Sequence, residues 1–489
     1  RVLFRSELRR TKITNNSLEQ RTIDITSFAE VVLASSAADA LHPAFSNLFV
    51  QTEIVEDQFA ILCTRRARSE EENIPCMLHM MTVHGVPVDA ISYETNRRQF
   101  IGRERTIKNP RAMDREVVDL SGSAGAVLDP VVAVRTRITL EAGHSAIIDI
   151  VSGVGESRAT ALALIEKYRD KGIADRVSRM AWVHGQILLR QIHATEVEAQ
   201  LYTGLADSIL YANAQLRAES SVLVQNSKGQ SGLWGYTLSG DLPILLLRIG
   251  STDNIELVRQ LLRAHTYWNL KGLLVDLVIW NEDQAGYRQL LHDQIMGLIA
   301  EGKGSLLGKP GGIFVLSADR IVEEDRILMQ AIARVIISGD KDSLAQLVKG
   351  RIAPVNTIPY LALSEGPKVS RTESVQPAPR ADLVLFNGLG GFTPDGREYV
   401  IITAQGQATP APWANVLANP QFGTVVSETG LAFTWSENAH EHRLTPWSND
   451  PVSDSRGEAF YLRDNDSGYF WSPAPRPCRG KKIGRASCR

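Results

Sequence analysis

Hydrophobic and polar residues alternate with a period of two through most of the first third of the chain. Clear examples are residues 21–28 (RTIDITSF), 77–84 (MLHMMTVH) and 131–140 (VVAVRTRITL). Alternation with β-branched residues is typical of half-buried antiparallel strands, and turn residues such as Asn109-Pro110 separate the runs. Because no helical pattern intervenes, residues 7–155 are predicted to form a large β-sandwich, the first of two.

The period changes to a helical one near Ser157, which is predicted to be the N-cap. The helical stretches cover residues 158–168, 174–190, 196–211, 255–264, 284–300 and 323–337. Two short apolar runs, 273–280 and 312–316, are predicted to be buried strands. Residues 156–363 are therefore predicted to be a mainly helical domain with a few strands.

Residues 364–380 are rich in Ser, Glu, Pro, Lys and Arg without an apolar period, which predicts an exposed linker. Strand-like segments then resume at 382–386, 397–403, 423–427, 431–435 and 458–462. Residues 381–477 are predicted to be a second, truncated β super-sandwich. The fold class is thus α+β, in the order sandwich, helical segment, sandwich.

Both ends of the chain have an unusual composition. Residues 1–6 (RVLFRS) and the end of segment 478–489 (KKIGRASCR) are rich in Arg and carry no apolar period. Both strings resemble adaptor DNA translated in frame, although a natural basic tail has the same composition. We interpret both ends as artefacts and expect the native chain to be an internal segment of a longer protein.

Composition excludes several functions. The 489 residues contain 53 Lys and Arg against 55 Asp and Glu, so no basic excess indicates a nucleic-acid partner. The apolar runs are far shorter than the roughly 20 residues that cross a bilayer, so no membrane segment is expected. The cysteines show no zinc spacing, so Cys63 and Cys76 are predicted to be plain thiols, and neither a metal nor another cofactor is expected.

The C-terminal β-rich region concentrates the side chains that could recognise a sugar. Its candidates are Trp413, Arg443, Trp447, Asp464 and Trp471. Aromatic faces stack on sugar rings, and charged and polar groups bind their hydroxyls. The alternative is that the tryptophans fill a core and the polar residues form turns. The run from Arg463 to Gly468 resembles a calcium loop but lacks a downstream Glu, so a hairpin turn is favoured.

The middle region offers two more binding candidates, Trp234 and Asp241, in the run WGYTLSGDLP. Asp241 is interpreted as either a helix N-cap or a cleft carboxylate. The adjacent acids Glu282 and Asp283 end a predicted strand, where they are expected either to form a solvated turn or to act in acid/base chemistry. No phosphate-binding loop, Gly-x-Ser-x-Gly or His-Glu-x-x-His motif is present.

Several long motifs resemble the cellobiose and chitobiose phosphorylase family. They are 387–401 (NGLGGFTPDGREYVI), 409–417 (TPAPWANVL), 422–427 (FGTVVS) and 461–472 (YLRDNDSGYFWS). Upstream motifs are similar to the cyclic β-1,2-glucan synthases of the same superfamily: 42–53 (HPAFSNLFVQTE), 125–130 (GAVLDP), 230–234 (QSGLW), 239–244 (SGDLPI) and 265–273 (HTYWNLKGL).

The resemblance implies a super-sandwich region with β-1,2-glucan or gluco-oligosaccharide as its partner, ahead of an (α/α)6 catalytic barrel. The parent would polymerise glucose from UDP-glucose at the cytoplasmic face of the bacterial inner membrane and trim the glucan by phosphorolysis. The family's general acid and phosphate-binding residues would lie in the barrel, so no catalytic residue is carried over to this chain. The open alternatives are a purely structural module and a hydrolase that uses Asp241 or Glu282.

Overall fold

The protein is represented by a computed structural model. It describes residues 5–478 and 487–488 except 68, 70–71, 73, 284–289, 302–305, 340–343, 346–381, 404–406 and 456. The chain divides into two compact units. The first unit combines Arg1–Arg176 with Ser364–Arg489, and the second is Val177–Leu363.

The secondary-structure elements follow the chain in three groups. The first group has the strands β1 (Ser6–Thr14), β2 (Arg21–Thr26), β3 (Ala29–Glu30), β4 (Val50–Val55), β5 (Ala60–Arg65), β6 (Cys76–His84), β7 (Val88–Asn96), β8 (Pro130–Leu140) and β9 (Ser145–Gly155). Its helices are α1 (Ser36–Leu41), α2 (Pro43–Asn47), α3 (Arg97–Ile101) and α4 (Arg158–Arg169).

The second group begins with a long helix and alternates helices with strands. It contains α5 (Lys171–Gln191), α6 (Glu196–Leu210), α7 (Ser220–Gln225), β10 (Ile244–Ile249), α8 (Ile255–Leu270), β11 (Asp276–Asn281), α9 (Leu290–Glu301), β12 (Ile313–Ser317), α10 (Glu323–Ile332) and β13 (Val335–Ser338). The third group has β14 (Gly390–Phe392), β15 (Tyr399–Ile401), β16 (Ala414–Ala418), β17 (Phe422–Ser427), β18 (Ala432–Ser436), β19 (Leu462–Arg463), β20 (Phe470–Trp471) and β21 (Ser487–Cys488).

The first group forms the predicted sandwich. One sheet has the strand order β1-β9-β6-β5-β4, and in the facing sheet β2, β3 and β7 all pair with the long strand β8. Alternate residues point between the sheets, among them Ile61, Met81, Val134 and Ile148, and these are buried in one hydrophobic cluster. Helix α4 packs on the other face of the first sheet, through the contacts of α4 with β6 and β9. Its predicted N-cap is confirmed, because Ser157 and Thr160 form a reciprocal capping box.

The C-terminal β-rich region packs into the same compact unit as this sandwich. Val452 is buried with Phe100 and Ile101 of α3, and the guanidinium of Arg97 binds both carboxylate oxygens of Asp450 at 2.7 and 2.9 Å. The sequence predicts a separate second sandwich here, whereas the structure places small antiparallel sheets beside the first one. The predicted domain boundaries stay predictions, and the predicted linker lies outside the described residues.

The second unit is a three-layered α/β structure around a parallel sheet with the order β12-β11-β10-β13. Leu245, Leu247 and Ile279 face one side of the sheet, where α6, α8 and α9 cover them. Leu246, Val278 and Phe314 face the other side, which α10 covers. Burial of both faces explains why these strands are apolar throughout.

One predicted helix in this unit needs a correction. The helix that the sequence predicts over residues 323–337 is too long, because α10 ends at Ile332 and the buried strand β13 follows. Strand β10 was also missed, whereas the predicted strands at β11 and β12 are confirmed. The sheet is therefore the centre of the unit. Throughout the part of the chain that the structure describes, no helix has the length and apolarity to cross a membrane.

Candidate functional site

Three neighbouring aromatic side chains lie at the surface of the first unit. We call this group the aromatic track and define it by His42, Phe45 and Trp447. The ring of His42 lies 5.8 Å from that of Phe45 and 6.3 Å from that of Trp447, both edge to face. Phe45 is 57% exposed and Trp447 41% exposed, so the track offers apolar ring surface to a ligand from solvent.

Local structure holds each member of the track in place. His42 is the N-cap of α2, where its Nδ1 accepts a hydrogen bond from the backbone N–H of Phe45. Trp447 stacks in parallel on the buried ring of Phe433 in β18, with 5.0 Å between the ring centroids. Ring stacking of this kind fixes an indole and leaves little freedom to be lost on binding.

A half-buried charged cluster adjoins the track. It contains Arg97, Asp129 and Asp450, with Arg97 only 3.0 Å from Asp129. Burial opposes ionisation of both carboxyl groups. At Asp450 the hydrogen bonds from Arg97 outweigh burial, and the pKa is lowered. At Asp129 burial prevails, and its pKa is raised. Asn47 of α2 donates to Asp129 at 3.4 Å, so the cluster connects α2 to the segment that carries Trp447.

A second buried pair positions Trp413. Arg103 donates to Glu428 at 2.9 Å, and Glu428 accepts hydrogen bonds from the backbone N–H of Trp413 at 2.8 Å and from the hydroxyl of Thr409. Burial raises the pKa of Glu428 against the opposing effect of these partners. The half-buried indole of Trp413 packs edge-on against Tyr399, 6.1 Å between centroids. These contacts favour a structural role for Trp413.

Asp464 and Trp471 lie on the hairpin formed by β19 and β20. Asp464 accepts from the backbone N–H of Asp466 at 3.1 Å and from the hydroxyl of Ser467, which lowers its pKa. The favoured hairpin turn is therefore confirmed. The ring of Trp471 stacks on Tyr469 at 5.6 Å. Among the residues that the structure describes, no group of three or more His, Cys, Asp or Glu side chains could hold a metal ion.

Arg443 is exposed and precedes Trp447 in the same β-rich region. Its Nε donates to the carbonyl of Ala439 at 3.2 Å, and its backbone forms a bridge with Trp435. Trp435 itself is buried in the small sheet, as the core-filling alternative predicts for a tryptophan. The structure thus brings Trp447 into the aromatic track, whereas Arg443 contacts Ala439 and Trp435.

Trp234 and Asp241 belong to the second unit. Trp234 is 63% exposed and donates to the carbonyl of Ser239 at 3.4 Å. Asp241 accepts from Gln230 at 3.0 Å and precedes strand β10, so the N-cap interpretation is wrong. Glu282 follows the carboxyl end of the neighbouring parallel strand β11. A six-residue strand separates these two acids by roughly 20 Å, too far for a pair of glycosidase carboxylates.

Sequence reasoning missed two of the three members of the aromatic track. His42 and Phe45 lie about 400 residues before Trp447, and no periodic signal joins them. The short run from Leu41 to Leu48 exposes Leu41, Phe45 and Leu48 together. The sequence signal for this surface is an apolar cluster that follows His42-Pro43 and does not belong to an alternating strand. Such a cluster indicates an exposed apolar patch.

The fold is a β-sandwich whose chain is interrupted by an α/β unit, and its exposed aromatic track lies beside a charged cluster. The sequence model of the glycosyl hydrolase 94 supersandwich domain matches residues 5–171 and 397–489. These two segments lie in the compact unit that combines both β-rich regions. The chain belongs to the glycosyl hydrolase 94 supersandwich family, which places it in carbohydrate metabolism.

Several curated proteins are similar to the chain. The cyclic beta-(1,2)-glucan synthase NdvB of Rhizobium meliloti (strain 1021) is 32% identical over 482 residues, which are 96% of this chain and 17% of that protein. The N,N'-diacetylchitobiose phosphorylase of Vibrio proteolyticus is 36% identical over 88 residues, 18% of this chain and 11% of that protein. The 3-O-beta-D-glucopyranosyl-beta-D-glucuronide phosphorylase of Paenibacillus borealis is 37% identical over 91 residues, 18% and 10% of the two chains. The chain thus spans a small part of each relative.

Proposed function

We propose that the first unit binds β-1,2-glucan or a gluco-oligosaccharide and serves as a scaffold within a longer glucan-processing enzyme. The observation that carries this proposal is the aromatic track, in which Trp447 is fixed on Phe433 and continues to His42 and Phe45. Successive rings on a surface suit an elongated ligand with repeated apolar sugar faces. The charged cluster supplies donors and acceptors for hydroxyls at one side.

The relatives support this choice of ligand. The relative that matches 96% of this chain is named a cyclic β-1,2-glucan synthase. Two other relatives are named phosphorylases of disaccharides. By this resemblance, the parent makes glucan from UDP-glucose at the cytoplasmic face of the inner membrane, and a following barrel trims it by phosphorolysis. In our proposal this chain supplies no catalytic residue and needs no cofactor.

Titration with β-1,2-gluco-oligosaccharides, followed by tryptophan fluorescence, tests the binding proposal. We expect Trp447→Ala to weaken binding roughly tenfold, since a stacking contact contributes on the order of 1 kcal/mol beyond burial. Trp182→Ala is the matched control, because Trp182 is 65% exposed on α5 and outside the track. A titration curve that is the same for wild type and Trp447→Ala would contradict the proposal. Chelator should leave wild-type binding unchanged.

The hairpin of β19 and β20 favours the scaffolding part of the proposal. Tyr461, Leu462 and Phe470 expose apolar surface on it, more than a free hairpin tip requires. We propose that the barrel of the longer enzyme packs on this hairpin. In the complete parent, Phe470→Ser should loosen the barrel and increase its proteolysis, whereas Ser467→Thr at the turn should not. Equal proteolysis of both variants would count against scaffolding by the hairpin.

A further inference from the structure

The parallel sheet of the second unit reverses its winding direction between β10 and β13. From β10 the chain proceeds through α8 to β11 and through α9 to β12, with both helices on the same face. It then crosses by α10 on the opposite face to β13, which pairs with the other edge of β10. In open parallel sheets, ligands bind in the crevice outside the carboxyl ends of the strands at such a switch point.

A cleft of about 270 Å³ occupies this position. Its lining includes Arg248 and Glu282 at the strand ends, with Ser251 and Asn254 from the segment after β10. Gly250 and Gly339 also line it. A Cβ on Gly339 would lie 3.2 Å from the carbonyl oxygen of Arg248, so glycine lets the end of β13 pass close to the backbone of β10 at the edge of the cleft. This volume is slightly below the roughly 300 Å³ at which pockets for drug-sized ligands begin, so the cleft suits a smaller molecule.

The chemistry of the cleft favours a hydroxyl-rich, uncharged group. The Nε of Arg248 donates to Oε1 of Glu282 at 2.7 Å, and both side chains are partly exposed. This pair neutralises its own charges, so the lining has little net attraction for a phosphate. Glu282 directly follows β11, the strand next to β10, where dinucleotide-binding folds place the acid that binds the two ribose hydroxyls.

We infer that this cleft binds a small molecule through a vicinal diol, with the carboxylate of Glu282 accepting hydrogen bonds from the hydroxyls. Arg248 holds the carboxylate in place and donates to a neighbouring oxygen of the ligand, and Asn254 adds an amide. A diol of this kind occurs in the ribose of a nucleoside and in a free hexose, and both present the same two donors to Glu282. This site lies in the second unit and is independent of the aromatic track.

Ligand-observed saturation-transfer NMR on the full chain tests the inference, with adenosine and D-glucose as the two probes. Binding of at least one probe is expected at concentrations of about 10 mM or below. The probe that binds identifies the source of the diol. The corresponding compound without a vicinal diol, 2'-deoxyadenosine or methyl 3-deoxy-β-D-glucoside, should bind at least about tenfold more weakly, because it leaves part of the carboxylate unpaired.

Variants then assign the site. Glu282→Gln should weaken binding at least about tenfold, whereas Glu256→Gln, on the exposed side of α8 and paired with Arg259, should not. The deoxy comparison needs no variant, so it remains decisive if Glu282→Gln fails to fold. Absence of binding by both probes, equal binding of the deoxy compounds, or binding of inorganic phosphate that persists in folded Glu282→Gln would each overturn the inference.

Discussion

His79 is a buried histidine with hydrogen bonds at both ring nitrogens. It lies in β6 between the two sheets, 2.9 Å from the hydroxyl of Ser27 and 2.9 Å from that of Ser152. It borders a cavity of about 210 Å³ whose lining includes Glu7 and Arg9. Burial, with a smaller contribution from the positive charge of Arg9, lowers the pKa of His79 from 6.5 to about 4. The imidazole is therefore neutral in the folded protein at neutral pH.

This lowered pKa predicts acid sensitivity of the sandwich. Between pH 6.5 and pH 4 the unfolded chain binds a proton that the folded chain does not, so the free energy of unfolding falls as the pH falls. The full effect is about 3 kcal/mol. Urea unfolding of the wild type and of His79→Gln between pH 6.5 and pH 4 measures this change in the free energy of unfolding. His79→Gln should be less stable at neutral pH but should lose less stability on acidification. Parallel pH profiles of the two proteins would contradict the lowered pKa of His79.

The ion pair of Arg103 and Glu428 is nearly inaccessible to solvent, and it links α3's C-terminal flank to the loop after β17. Removing one partner leaves the other charge buried, which costs about 3–5 kcal/mol. Arg103→Met should therefore destabilise the protein strongly, and Arg103→Met combined with Glu428→Gln should recover part of the loss. Denaturant unfolding of both variants measures this coupling. A double variant less stable than Arg103→Met would show that the pair contributes more than charge compensation.

At the scale of elements, Gly423 in β17 is paired with Trp435 in β18. A Cβ at Gly423 would lie only 2.1 Å from the indole of Trp435, so the ring occupies the space that any side chain would need. Gly423→Ala should cost about 1–3 kcal/mol through this overlap. Gly297→Ala is the opposite control, since its Cβ would meet nothing within 4 Å in helix α9 and helix propensity favours Ala by up to about 1 kcal/mol. The midpoint of thermal unfolding should fall for Gly423→Ala and rise for Gly297→Ala.

Elements with a clear period could be predicted from the sequence, and elements without one could not. The long strand β8 alternates, and the capping box of α4 marks a helix start, so both were placed correctly. Strand β13 was absorbed into the preceding helix because Val335, Ile336 and Ile337 continue the apolar residues of α10. A strand buried on both faces has no alternation to distinguish it from a buried helix.

At the scale of the whole molecule, the sequence shows composition but not which distant segments meet. Arg97 and Asp450 are 353 positions apart, and no local pattern links them. Trp447 could be proposed as a sugar-binding residue from its residue type, whereas His42 and Phe45 acquire meaning only when folding brings α2 beside it. The same long-range contacts join two β-rich regions that alternation alone presents as separate domains.

These contacts predict that the two β-rich regions depend on each other. Without residues 364–489, α3 loses the packing of Val452, and Arg97 keeps Asp129 but loses the bidentate contact with Asp450. We expect residues 1–176 to be poorly soluble alone and to co-purify with a tagged 364–489 segment when the two are expressed together. The association rests on burial of the α3 cluster together with half-buried ion pairs.

Asp450→Ala provides the sharper version of this experiment. It removes both hydrogen bonds to Arg97 and leaves that guanidinium with Asp129 and Glu30, so co-purification should fall severalfold, in line with a loss of about 1–3 kcal/mol. Asp466→Ala, on the exposed turn of the β19–β20 hairpin, is the matched control and should leave the yield unchanged. Two segments that are each soluble, folded and unable to associate would show instead that the regions are independent domains, as the alternating pattern alone predicts.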